Sequence, residues 1–126
     1  MSYSNEAIDQ STDTSKVITD VDPRRTEIAA FEKATESLRN NHSKAHTDPE
    51  FLKALNNNKL LWKTLENDLT SRDNKLPDAL KAKLISVAMW VDRHSCLVEK
   101  GEAKLGSLIE VNESIIKGLE ASTEQN

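Results

Sequence analysis

The fold is decided by residues 58–119, which read NKLLWKTLENDL at 58–69, LPDALKAKLISVAMWVDRHS at 76–95 and GEAKLGSLIEVNESIIKGL at 101–119. This half of the chain holds both tryptophans, the one cysteine and most of the aliphatic residues. Its apolar residues recur every three or four positions, which is the spacing of a helix face packed in a bundle. No stretch alternates polar and apolar residues as a strand does. We therefore predict an all-α fold.

Punctuation along the chain predicts where the helices begin and end. Each of the three prolines suits a first helical position: Pro23, Pro49 and Pro77. Thr47 and Glu50 predict a capping box before the second helix, and Gly101 predicts the end of the third. We predict a small bundle of about four helices, at about 23–40, 49–69, 77–100 and 103–119.

The two ends of the chain differ from this body. Residues 1–21 carry four carboxylates and one lysine and are rich in Ser and Thr, so we predict a disordered acidic N-terminal tail. Residues 121–126 are polar and are predicted to form a frayed C-terminus. Residues 22–120 are predicted to form a single helical domain.

Composition and charge exclude several classes of protein. The net charge is −4 and most of it lies in the tail, so the near-neutral body has no strong drive toward nucleic acid. A single cysteine, Cys96, cannot form an internal disulfide, which favours a reducing compartment. Neither a signal-peptide start nor an apolar run of membrane-spanning length is visible. We predict a cytoplasmic protein that does not insert into a membrane.

Residues capable of catalysis or metal binding do not fall into a working arrangement. His42 and His46 lie in a polar connection that we interpret as a solvated linker. His94 and Cys96 are two residues apart and cannot face each other on a helix. The sequence has no Gly-rich phosphate loop and no Ser-His-Asp context. We therefore predict no catalytic, cofactor-binding or metal site, and a protein that is not an enzyme.

A seam of residues at helical spacing is predicted to form the structural core. The residues predicted to form this seam come from the second, third and fourth helices: Asn58, Trp62, Leu84, Val87, Val91 and Asn112. His94 falls on the same stripe of the third helix. The two asparagines either are hydrogen-bonded inside the core, where they fix its register, or lie at the wet edge of the seam.

The third helix has a second apolar strip opposite that seam, formed by Ile85, Met89 and Cys96. Such a strip either packs under the first helix or faces a partner. Trp90 stands at the edge of the seam, where a tryptophan either caps the core or anchors a partner. Our hypothesis is that Ile85, Met89 and Trp90 bind a partner protein.

Five short motifs occur in the deciding stretch: Asn-x-x-Leu-Trp at 58–62, Leu-Pro-x-x-Leu at 76–80, Leu-Ile-Ser at 84–86, Leu-Ile-x-x-Asn at 108–112 and Lys-Gly-Leu at 117–119. Taken in this order, they resemble the FlaF family of flagellar biosynthesis proteins. The first helix fits the weaker N-terminal region of that family, and the longer polar start departs from its usual pattern.

The resemblance implies a function. Proteins of this family bind flagellin in the cytoplasm before secretion and work alongside the translational regulator FlbT. The implied role is a flagellin secretion chaperone that promotes flagellin synthesis and export. The alternative is a regulatory scaffold that acts through FlbT on flagellin mRNA without chaperoning. A third reading is a homo-oligomeric bundle with the second strip of the third helix as its dimer interface.

Overall fold

The computed structural model describes residues 23–124, and within them the chain forms helices without any strand. The helices, in chain order, are α1 (Pro23–Asn41), α2 (Pro49–Leu69), α3 (Asp78–Glu99) and α4 (Gly106–Glu124). The prediction of an all-α fold built from about four helices is thereby confirmed. The tail predicted at 1–21 lies outside the described residues, as do residues 125 and 126.

The first three helices have the predicted bounds to within one residue, and α4 differs more. It begins at Gly106 instead of 103, because the preceding residues form the turn that leaves α3. In that turn the amide of Glu102 donates to the carbonyl of Leu97 at 2.8 Å. At its other end α4 continues to Glu124, beyond the predicted end at 119 and into the segment expected to fray.

The start of α2 corrects the predicted cap. The N-cap residue is Asp48 and not Thr47: its backbone is extended, and its carboxylate accepts a hydrogen bond from the amide of Glu50 at 2.8 Å. Pro49 takes the first helical position, which leaves Asp48 as the residue directly before the helix. The helix then runs unbroken through the three asparagines at 56–58.

The helices surround one core in a definite order. α1 packs against α2 and α4, whereas α3 packs against α2 and, over a shorter extent, against α4. In the described part of the chain, no Cα atom of α3 comes within 8 Å of one in α1. The reading in which the second strip of α3 is buried under the first helix is therefore wrong. These two helices occupy opposite corners of the bundle.

Trp62 of α2 is the residue at which the elements meet. Its ring stands edge-on to that of Phe31 of α1, with centroids 5.2 Å apart. Its indole Nε1 donates to the side chain of Asn112 of α4 at 2.9 Å. It also lines a small pocket together with Ala88 and Val91 of α3. Trp62 therefore contacts α1 and α4 directly and borders a small pocket shared with α3.

Candidate functional site

The predicted seam residues are mostly placed in the core. Five of them are buried: Asn58, Trp62, Leu84, Val91 and Asn112. Val87 is half-buried, as is His94 on the same predicted stripe. The buried positions of α3 at these levels belong instead to Ala88 and Ser95.

The packing of α3 explains this shift of its buried face. Because α3 packs mainly on α2, the small residues Ala88 and Ser95 share its buried face with Leu84, Val91 and Val98. His94 lies one step round toward α4, where its Nε2 donates to the carbonyl of Lys104 at 3.0 Å. The seam predicted from large apolar residues was therefore rotated from the true one.

A chain of hydrogen bonds crosses the core between α2 and α4. Trp62 donates to Asn112 Oδ1, and Asn112 Nδ2 donates to Asn58 Oδ1 at 2.8 Å. Both asparagines are 0 % exposed, so the wet-edge reading is wrong for them. Nδ2 of Asn58 finds no hydrogen-bond partner among the described residues. These side chains serve the core and are not available to a partner.

The side of α3 away from its buried face carries exposed apolar side chains, and Ile85 at the border of this side packs partly against the core. We call Ile85, Met89 and Cys96 the α3 strip. Met89 is 53 % exposed, Cys96 is exposed and Ile85 is half-buried. Leu97, farther round the same helix, is 41 % exposed. The helix therefore presents apolar surface on the side away from its buried face.

Trp90 lies apart from the α3 strip. At about 100° per residue, it is a quarter turn or more from Met89 around the helix axis. It is half-buried and stacks on the ring of His94, with centroids 4.5 Å apart and planes 14° apart. The structure thus brings Ile85 and Met89 together and places Trp90 on the flank toward α4.

A groove between α1 and α2 is not among the features predicted from the sequence. This α1–α2 groove encloses about 410 Å³ and is lined by Ala30, Lys33, Ala34, Ser37, Asn57, Leu60, Leu61 and Thr64. Leu60 is 66 % exposed, more than Met89 or Leu97. The available signal was a leucine in an otherwise polar face of α2, between the asparagines at 56–57 and Lys63.

A second groove, between α1 and α4, has a different character. It encloses about 600 Å³ and is lined largely by charged residues: Glu32, Glu36, Arg39, Glu113, Lys117 and Glu120, with Thr35 and Ile116. Arg39 of α1 forms an ion pair with Glu113 of α4 across it. Such a lining favours water and ions over an apolar side chain.

Glu27 is the described carboxyl group with a strongly shifted pKa. Burial raises the pKa of Glu27 to about 7, the positive charge of Arg24 opposes the rise, and a hydrogen bond with Asp68 adds to it. The interaction between Glu27 and Asp68 joins α1 to the end of α2.

Over residues 23–124, no three His, Cys, Asp or Glu side chains are grouped to hold a metal ion. Over the same residues, no helix has the length and apolar character needed to cross a bilayer.

Comparison with known proteins adds a family assignment. A family model described as "Flagellar protein FlaF" matches residues 10–119 of the chain. The match covers most of the sequence, including α1, α2, α3 and α4 as far as Leu119. Neither a curated protein nor a solved structure matches the chain.

Proposed function

Since the chain belongs to the FlaF family of flagellar proteins, we propose that it binds flagellin in the cytoplasm as a secretion chaperone and promotes flagellin synthesis and export. The proposed role is binding without catalysis and without a cofactor. It requires a surface on which an amphipathic helix of the unassembled subunit can bury its apolar face. A small helical bundle with uncovered apolar side chains can provide one.

The α3 strip is the observation that carries this proposal. Met89 is 53 % exposed in the middle of a helix whose opposite face is already buried. Ile85 and Cys96 extend the apolar surface one turn before and two turns after it. Methionine suits such a surface, because its flexible thioether adapts to partner side chains of different shapes. Covering the strip removes apolar area from water and so favours binding.

The first test measures flagellin binding by the Met89→Glu variant. A carboxylate at the centre of a desolvated apolar contact is unpaired, so we expect affinity for purified monomeric flagellin to fall at least about tenfold by calorimetric titration. Ala79→Glu is the matched control, because it adds the same charge at an exposed position near the start of α3. Helical circular dichroism establishes that both variants fold.

The outcomes separate the candidate functions. Equal binding by both variants and the unaltered chain would remove the α3 strip from the site and leave the chaperone role standing. No flagellin binding by the unaltered chain, with capture of purified FlbT, would replace the chaperone with a regulatory scaffold acting through FlbT. A mass that rises with concentration in light scattering, and that Met89→Glu returns to a monomer, would assign the strip to a homo-oligomer interface.

A further inference from the structure

We propose that the α1–α2 groove is a second docking surface, separate from the α3 strip, which receives an amphipathic helix with an aliphatic face and a carboxylate at its edge. The inference rests on the proposed function in taking flagellin as the protein that carries this helix. The two surfaces are distinct, because the groove is built from α1 and α2, and α3 does not approach α1.

The shape of the groove fits the face of a helix. Ala30, Ala34 and Ser37 follow one another along α1 at helical spacing and form a floor of small side chains. Leu60 and Leu61 of α2 form the apolar wall. The floor runs from residue 30 to residue 37, seven helical rises or about 10 Å, which matches about two turns of a partner helix. A single exposed leucine is ordinary on a protein surface, but here it borders a concave apolar lining.

Charge selects the kind of helix that the groove accepts. Lys33 is the one charged residue among those that line it, and no carboxylate does. The α1–α4 groove, by contrast, is lined by four glutamates. A helix that lays aliphatic residues against Leu60 and Leu61 therefore gains an ion pair if an acidic side chain meets Lys33 at the rim. A basic side chain at that position is repelled, which gives the groove a preference as well as an affinity.

The experiment titrates purified monomeric flagellin into the full chain and three variants. Leu60→Glu places a charge in the apolar wall, and we expect affinity to fall at least about tenfold. Lys33→Glu reverses the rim charge; we expect weaker binding and a loss of the salt sensitivity of the unaltered chain. Ala29→Glu is the control, since it adds a carboxylate to α1 at an exposed position that lines neither groove.

Each result of the titration either supports or overturns the α1–α2 groove as a docking surface. Losses in Leu60→Glu and Lys33→Glu, with Ala29→Glu unchanged, support the proposal. Binding by Leu60→Glu that equals that of the unaltered chain overturns the groove, and the chaperone role survives if Met89→Glu binds weakly in the same titration. Absence of flagellin binding by the unaltered chain overturns both. Because Leu60 is largely exposed, its substitution leaves the core intact, and an unchanged thermal midpoint establishes this for each variant.

Discussion

At the scale of single residues, Asn112 holds the polar centre of the core. Its side chain accepts from the indole of Trp62 and donates to Asn58, so one amide satisfies groups on another helix in two directions. In an apolar interior a hydrogen bond of this kind fixes which residues face each other, because any other register leaves buried polar atoms unpaired.

Replacing Asn112 with alanine leaves two buried polar groups without a hydrogen-bond partner. The Trp62 indole N–H and Asn58 Oδ1 each lose their partner, so we expect Asn112→Ala to lower the free energy of unfolding by about 2–5 kcal/mol. Urea unfolding followed by circular dichroism measures the change. The matched control is Asn56→Ala, an exposed asparagine of α2, which should change stability by less than about 0.5 kcal/mol. Similar values for the two variants would show that the hydrogen-bonded chain does not stabilise the core.

The sequence predicts the burial of these side chains but not their hydrogen bonds. Trp62 and the two asparagines stand on a repeating stripe, so their place near the core follows from spacing alone. Their hydrogen bonds do not, because Asn58 and Asn112 are 54 positions apart and meet only once α2 and α4 are packed. Leu60 was overlooked for the complementary reason: spacing identifies buried faces, and an exposed residue gains meaning only from the neighbouring helix.

At the scale of elements, the turn after α3 joins two distant connections. Gly101 has a φ of 78°, and its amide donates to Val98 while Glu102 donates to Leu97, which is a Schellman motif. His46, from the connection between α1 and α2, packs over this glycine, and its Nδ1 donates to the carbonyl of Glu99 at 3.1 Å. The end of α3 is thereby fastened to the first connection of the bundle.

A side chain at Gly101 disturbs both features. Its Cβ would lie 2.6 Å from Nε2 of His46, and the positive φ is unfavourable for an L-residue. We expect Gly101→Ala to lower the free energy of unfolding by about 1–3 kcal/mol. The control is Gly118→Ala within α4, where nothing lies within 4 Å of the added Cβ. It should stabilise the fold by up to about 1 kcal/mol, since alanine favours helix. Thermal unfolding compares the two, and equal midpoints would contradict this account.

The sequence predicts where the helices begin and end better than it predicts which side of each helix is buried. The bounds of α1, α2 and α3 follow from prolines, a glycine and apolar spacing, all of which act locally. The buried side of α3 does not follow from local sequence signals, because it depends on which neighbouring helix α3 packs against. Ala88 and Ser95 carry little hydrophobic signal, yet they are buried because their side of α3 lies against α2. The larger Val87 was predicted there and is half-buried.

At the scale of the whole molecule, the order of the helices sets which surfaces are free. α1 and α3 occupy opposite corners, so the apolar residues on the outer side of α3 cannot be covered by α1. The α1–α2 groove opens on another side of the bundle. The proposed function therefore predicts that two segments of flagellin bind at the same time, and that their overall affinity exceeds that of either contact alone.

The stability of the whole fold should also depend on pH through Glu27, which joins α1 to the end of α2. Its pKa rises from 4.5 to about 7 on folding, chiefly through burial, with Asp68 adding to the rise and Arg24 opposing it. Below pH 4.5 both folded and unfolded chains hold the proton, and the fold has its full stability from this group. Between pH 4.5 and 7 the unfolded chain releases the proton while the folded chain keeps it, so stability falls as pH rises.

Glu27→Gln should remove this dependence, because a neutral amide replaces the carboxyl group in the same half-buried position. We expect the variant to match the unaltered chain near pH 4.5 and to exceed it by roughly 1–3 kcal/mol above pH 7. Urea unfolding at several pH values measures the difference between the two chains, which cancels the titration of all other groups. Glu32→Gln, at an exposed position of the same helix, should run parallel to the unaltered chain. A Glu27→Gln curve that is also parallel would mean that Glu27 titrates alike in the folded and unfolded states.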